Sequence, residues 1–465
     1  MLKFYRKQTL WLKILILSTI ALLLLIFSFY AVIWDSSDAD EIDFRNFRAE
    51  GLSFYEAAPS GIKYFKKYYF KSWNASDSTK LFFAKQSQLN RSLKSSALNE
   101  KESLSISFVG DIMWIRNGWS SFVDDSVRRY LSKSDMVFGN LETPIDTLSG
   151  VPAFLPDYTN YNSKPDLIRS FRREQGGNIF TALSIANNHA LDKGDKGLER
   201  TLKFLEKEGI LVTGARVGST PGDRDYLLIE KSGVRVGFYA ATWGLNDPDL
   251  LRKGDVKINQ IYGIAPLHKE KIDLTSKFEI LKKMREDSVD IKILFLHWGY
   301  EYELYPDEEI IKIGRMLSKA GADLIIGSHS HVVQPSEICL GNGFKLSSDS
   351  LSRYYYRFND STGVPRKSLI VYSLGNFTSA MYTSLCRLGL IQNVTLYKNS
   401  QTGLWDWTLG ESVFVYNNPA GIAGLKRKLV FYNDYVENLS AKSPEKAAEI
   451  SAEVRYVLQQ YEKLQ

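Results

Sequence analysis

The chemistry in this sequence is concentrated in a few polar residues that stand directly behind apolar runs. Only five histidines occur, at 189, 268, 297, 329 and 331. The run Leu104–Val109 gives way to Gly110-Asp111, and Met136–Phe138 to Gly139-Asn140-Leu141-Glu142. Phe180–Ile185 is followed by Asn187-Asn188-His189, and Ile291–Leu296 by His297-Trp298-Gly299. Asp323–Ile326 leads into Gly327-Ser328-His329-Ser330-His331, and Leu369–Tyr372 into Ser373-Leu374-Gly375-Asn376. Carboxylates supply hard anionic oxygens, Asn a neutral oxygen and His a nitrogen. That donor mixture suits Mn, Fe or Zn and suits neither Cu(I) nor a calcium cage. Two such ions, ~3.5–4 Å apart and sharing a carboxylate, polarise a phosphoryl oxygen and generate hydroxide near neutral pH. Singly, each residue has a plainer reading. Asp111 is a helix N-cap, Glu142 an arginine partner, Asn187-Asn188 a turn, and His-x-His a surface pair. The ordered set favours a metal site. His268, in Pro266-Leu267-His268-Lys269, falls outside the pattern and reads as an ordinary surface residue.

Positioning such a set requires strands that deliver their ends to one edge. The seventh run, Val234–Tyr239, has the same apolar character as the other six. Helical spacing lies between the runs. Leu198, Leu202 and Leu205 share a face of a helix predicted over Gly197–Glu208. Ile310, Ile313 and Leu317 do so over Glu308–Ala320, which ends at Gly321. Strand-helix alternation argues for an α/β body, and in open α/β sheets the ligand crevice lies outside the carboxyl ends of the strands. Periodicity alone allows a simple doubly wound sheet. A polar insertion at 341–366 interrupts the body, and strand signals weaken from Tyr397 to Val430. Ser443-Pro444 predicts a capped helix start, with the helix running to about Lys463. Its stripe of Ala447, Ile450, Val454, Val457, Leu458 and Tyr461 suits packing on the body or on a partner.

The remaining composition narrows the function. A net charge of +6 over 465 residues, without a basic stripe, argues against nucleic acid as a partner. Two cysteines, Cys339 and Cys386, exclude a disulfide framework and a Cys-based zinc cluster. One bridge and two buried thiols both remain open. Residues 14–34 are uncharged and nearly all apolar, long enough to span a ~30 Å hydrocarbon core. Lys3, Arg6, Lys7 and Lys13 precede them, and Asp35, Asp38, Asp40 and Glu41 follow. The positive-inside rule places the N-terminus in the cytoplasm and the rest outside. The run is too long for a signal-peptide core and closes on Tyr30-Ala31-Val32-Ile33-Trp34, so an uncleaved anchor is expected. The expected organisation is a basic tail at 1–13, a transmembrane anchor at 14–34 and a spacer at 35–102. The body follows at 103–430 and a helical extension at 431–465. Within the spacer, Lys63–Lys71 is basic and aromatic, which suits packing on the body ahead of resting on headgroups.

Six segments in order carry a resemblance. They are Gly110–Met113, Asn140–Pro144, Ala186–Asp192, His297–Tyr302, Gly327–Val332 and Tyr372–Phe377. This series resembles the CapA family of capsule or poly-γ-glutamate synthesis proteins, within the calcineurin-like metallophosphatase superfamily. The resemblance implies a β-sandwich of two mixed sheets flanked by helices. It implies metal ligation by Asp111, Glu142, Asn188, His297, His329 and His331, with Glu142 where a bridging Asp is usual. Catalysis would then rest on His189 as acid, beside Asn188 and Asp111. It further implies a metal-dependent phosphoesterase-type site acting on a phosphoester, or a non-catalytic subunit that binds or exports an anionic polymer with other capsule-synthesis subunits at the membrane. One departure has a consequence. The superfamily's Asp-x-His is here Asp111-Ile112-Met113, so one of two ions is expected to be held more weakly than the other.

Overall fold

All seven apolar runs are strands in the computed structural model. It describes residues 75–92, 102–113, 119–151, 160–218, 225–247, 249–253, 255–261, 273–341, 355–359, 366–381, 383–419 and 427–461. The expected tail and anchor, most of the spacer (Lys63–Lys71 included) and His268 lie outside these residues. Among the described residues no helix is long and apolar enough to cross a membrane.

The strands in chain order begin with β1 (Ser103–Ile112), β2 (Met136–Leu141), β3 (Ala182–Ser184), β4 (Leu211–Thr213), β5 (Ala215–Val217) and β6 (Leu227–Lys231). Next come β7 (Val234–Thr242), β8 (Val256–Ile258), β9 (Ile291–His297), β10 (Leu324–Ser328), β11 (Ser336–Gly341) and β12 (Tyr356–Phe358). The last five are β13 (Lys367–Val371), β14 (Asn376–Thr378), β15 (Leu388–Lys398), β16 (Trp405–Asn418) and β17 (Lys428–Phe431). They build two mixed sheets rather than one doubly wound sheet. The first runs β17-β16-β15-β1-β2-β3-β4, with β14 also paired to β1, and the second runs β12-β11-β13-β10-β9-β7-β6. Strands β1 to β4 are parallel, as are β7, β9, β10 and β13. Apart from β4, whose Leu211 is exposed, these parallel strands are largely buried on both faces, which is why they read as mostly apolar runs. The sheets meet face to face through rings such as Phe138 and Phe238, 4.7 Å apart.

Helices cover the outer faces. Glu308–Ala320 starts where the Asp307 carboxylate accepts the Glu309 amide, and stops at Gly321, whose φ of 124° suits glycine. It buries Ile310, Ile313 and Leu317 as the spacing predicts. The second expected helix occupies Gly194–Lys207 and buries Leu198 and Leu205.

Three elements depart from the sequence reading. The expected spacer contains a helix, Asp77–Ser92, whose Phe83 is fully buried and whose Gln86 side chain accepts the Ile338 amide of β11. The insertion at 341–366 carries β12, which extends the second sheet beside β11. The last helix, Pro444–Gln459, begins after Ser443, but the Ser443 hydroxyl makes no capping bond. The Ser443 φ of −155° is far from that of a capping residue such as Asp307, at −61°. The stripe of that helix packs on the body, and Tyr461 Oη donates to Gln334 O at 2.5 Å. Cys339 and Cys386 are free and buried.

Candidate metal centre

The parallel strands of both sheets deliver their carboxyl ends to one place. Register fixes the alignment: Asp111 lies opposite Asn140 on β2 and Asn376 on β14, and Ser328 lies opposite His297. Two glycines permit the approach. A Cβ on Gly110 would stand 1.9 Å from Gly375 O, and one on Gly327 would stand 1.9 Å from Tyr372 O. Beyond β10 the chain turns sharply, with φ of 90° at His329 and 59° at His331. Left-handed backbone is costly for such residues and tends to persist where function requires it.

The six expected ligands converge there. His297 Nε2 lies 2.8 Å from Asn188 Oδ1 and 3.4 Å from Glu142 Oε1, and His297 Nδ1 lies 3.7 Å from Asp111 Oδ1. The His329 amide donates to Asp111 Oδ2 at 3.0 Å, and His331 Nδ1 lies 3.9 Å from Glu142 Oε2. Ligand atoms of Glu142, His297 and His329 all fall within 4.8 Å of one another, and so do those of Asp111, Glu142 and His331. Glu142 is common to both groups.

The donor set also fits a cation chemically. Glu142 is fully buried, yet neither of its carboxylate oxygens has a hydrogen-bond partner, and His329 Nδ1 is likewise buried without one. Burying an unpartnered carboxylate is expensive, so its persistence points to an external partner. The protonation of the metal-free cluster agrees. Burial opposes a charge on His297, but Glu142 and Asp111 overcome it and push its pKa up to about 9. The same balance, with Glu142 and Glu301, pushes His331 up to about 10. Burial and the neighbouring His297 bring His329 down to about 3. Asp111 is buried too, but His297, His331 and Asn140 hold it well below the usual carboxylate range. Protons on two imidazoles thus balance the carboxylates when no metal is bound.

Each group brings three donors together. Asn188 adds a fourth donor beside Glu142, His297 and His329. Met113 is buried; its amide donates to Thr378 O and its carbonyl accepts the Thr378 hydroxyl.

His189 stands beside this cluster. Its Nδ1 is 2.6 Å from Asp192 Oδ2, and the Tyr161 ring stacks on it at 3.6 Å. Asp192 Oδ2 also accepts the Tyr161 amide. Asn246 faces His189 Nδ1 at 3.2 Å and accepts from Asn188 Nδ2 at 3.0 Å, joining the two parts of the site. Sequence reasoning assigned no role to Asn140, Tyr161, Asp192, Asn246, Ser328 or Asn376. Asn140, Asp192, Ser328 and Asn376 stood within the polar groups and segments already singled out. Tyr161 and Asn246 arrive on loops that carry no such signal.

The family model described as bacterial capsule synthesis protein PGA_cap matches residues 105–381. The PGA biosynthesis protein CapA of Bacillus subtilis (strain 168) is 28% identical over 285 residues, covering 56% of this chain and 69% of that protein. The capsule biosynthesis protein CapA of Bacillus anthracis is 28% identical over 291 residues, 60% of each chain. Among solved structures, a 5'-nucleotidase precursor from Thermus thermophilus overlays with a TM-score of 0.36 at 13% identity, over 77% of this chain and 59% of that one.

Proposed function

This chain belongs to the bacterial capsule synthesis protein PGA_cap family, and on that premise we propose that it is a membrane-anchored protein of capsule or poly-γ-glutamate synthesis whose extracytoplasmic body hydrolyses a phosphoester with divalent metal. The observation that carries the proposal is Glu142, buried and unpartnered between two histidine-containing groups.

In this reading Glu142, His297, His329 and Asn188 hold one ion, and Asp111, Glu142 and His331 a second, each Mn, Fe or Zn. Bound metal supplies Lewis-acid polarisation of a phosphoryl oxygen and a water acidic enough to attack near neutral pH. The chain's own residues do the rest. Asp192 accepts from His189 Nδ1–H, fixes that tautomer and leaves Nε2 to carry a proton to the departing oxygen. Tyr161 holds the imidazole plane by stacking, and Asn246 Oδ1 accepts from Asn188 Nδ2, which orients the Asn188 amide. Residues 14–34 with their basic and acidic flanks support the anchor and its orientation. Its partners are then the membrane, other polymer-synthesis subunits, and an anionic polymer or phosphoester.

Full-length protein in detergent, stripped of metal and reloaded with manganese, is to be screened against phosphoesters. His189→Ala should lower turnover by ~10²–10⁴-fold with manganese content unchanged. Equal turnover in wild type and variant would sink the hydrolytic reading. A second reading, a polymer-binding or export subunit without turnover, is favoured by the relatives' names, which speak of biosynthesis. A strain carrying His189→Ala separates the two: lost polymer supports hydrolysis, retained polymer the accessory role. Protease added to spheroplasts should digest the body; full protection would overturn the topology.

A further inference from the structure

The group of Asp111, Glu142 and His331 is one donor short of its neighbour, and the loop after β9 offers a residue to it. That loop leaves β9 through Gly299, at φ 87°, and passes Tyr302, at φ 66°. The Tyr302 amide donates to Ser330 O at 2.7 Å, which fastens the loop to the residue between His329 and His331. Glu301 is thereby held with Oε1 3.8 Å from His331 Nε2, its side chain 26% exposed.

The tautomer of His331 shows what belongs between these two atoms. Asn376 Nδ2 donates to Cys386 O at 2.9 Å, which orients that amide and turns Asn376 Oδ1 toward His331 Nδ1 at 3.0 Å. Nδ1, which also stands 3.9 Å from Glu142 Oε2, therefore carries hydrogen and donates to Asn376, and Nε2, on the Glu301 side of the ring, is the nitrogen available to a cation. Two donors each about 2.1 Å from a shared ion lie ~3.0–4.2 Å apart, a range that includes the observed separation. Glu142, fully buried with both oxygens unpartnered, points independently to a cation at this place.

We infer that Glu301 is a ligand of the ion held by Asp111, Glu142 and His331, supplying the donor that Met113 does not. The inference rests on the two-ion reading above, and concerns which residues complete the second shell. An oxygen in place of a nitrogen makes that site harder, which favours manganese or iron over zinc.

The test is calorimetric titration of manganese into metal-stripped full-length protein, with elemental analysis of the product. Wild type should take up two ions in unequal steps. Glu301→Gln should weaken the second step at least ~10-fold and leave the first intact, which also reports that the variant is folded. Met113→His added to Glu301→Gln should restore the second step. Two wild-type steps in Glu301→Gln would overturn the assignment while leaving the two-ion reading in place. A wild-type protein that binds no manganese, zinc or iron would instead overturn that reading, and this inference with it.

Discussion

Two buried glutamates in this molecule are treated in opposite ways. Glu337, on β11, is fully buried and satisfied: Arg315 Nε donates to one oxygen at 2.8 Å and Tyr372 Oη to the other at 2.7 Å. Arg315 is in turn held between the rings of Phe82 and Tyr356, at 5.1 and 5.0 Å. Glu142 is buried as completely, but among the described residues neither of its oxygens has a hydrogen-bond partner; the imidazoles of His297 and His331 stand 3.4 and 3.9 Å away. Burial raises the pKa of Glu337 even against its arginine, which shows what burying a carboxylate costs in this interior. The difference separates a carboxylate paired within the scaffold from one that stands among the imidazoles of two groups able to hold a cation.

The largest effect is expected where the satisfied pair is broken. Arg315→Ala leaves the Glu337 carboxylate buried without its cation and should lower unfolding free energy by ~3–5 kcal/mol, read by denaturant unfolding. Metal uptake should be unchanged in the folded fraction. At Glu142 the outcome differs. Glu142→Gln should destabilise the metal-free protein less than Arg315→Ala does, because His297 and His331 can give up their protons once the carboxylate that holds them is gone. Manganese at a hundred times its Kd should add ~2.7 kcal/mol to wild type and nothing to Glu142→Gln. Thermal melts with and without manganese check both. A variant destabilised as much as Arg315→Ala would erase the contrast.

How much of this was legible in sequence follows the same division. Strands β1, β2, β3, β9, β10 and β13 were readable because burial leaves mostly apolar runs, despite Ser105, Ser107 and Lys292, and the candidate ligands lie at or just beyond the ends of five of them. β15 and β16 were not named, although β15 is the neighbour of β1. In β16 two buried stretches, Trp407–Leu409 and Phe414–Asn418, are separated by more exposed residues, where Gly410, Glu411 and Ser412 interrupt the apolar pattern. Glu142 was legible as a candidate, yet its lack of partners was not, since a missing donor has no sequence signature. Arg315 and Glu337 lie on separate elements, and no spacing rule pairs them. Glu301 stood inside a segment already noted, but only the Tyr302 to Ser330 bond shows which histidine it faces.

The pH dependence sharpens the comparison further. The ordinary histidine pKa is 6.5, and in the metal-free fold His297 is pushed up to about 9. Its contribution to metal-free stability is therefore fully present below pH 6.5 and is lost as pH rises through about 9. A metal ion held by His297 would have to displace that proton, so on the proposed reading manganese affinity should rise over the same window, by ~10-fold per pH unit for each proton released. Titrations at pH 6, 7 and 8 check the slope; a flat profile would mean that His297 is not a ligand.

The smallest test repeats the contrast at helix ends. Asp307 accepts the Glu309 amide at 2.9 Å, whereas the Ser443 hydroxyl caps nothing. Asp307→Ala should cost ~1 kcal/mol, and Ser443→Ala should fall within ~0.5 kcal/mol of wild type. Equal losses would show that Ser443 caps its helix in solution.

The pairing of β1 also bears on how the chain is made. Ser103 lies opposite Tyr397, and Phe108 opposite Gln392. A strand near the start of the body thus waits for one emitted by the ribosome almost three hundred residues later. Until then the growing polypeptide presents the open edge of β1, a template for stray pairing with other chains. Nascent chains arrested before residue 388 should consequently need a holding chaperone, because β15, β16 and β17 of the first sheet have not yet been made.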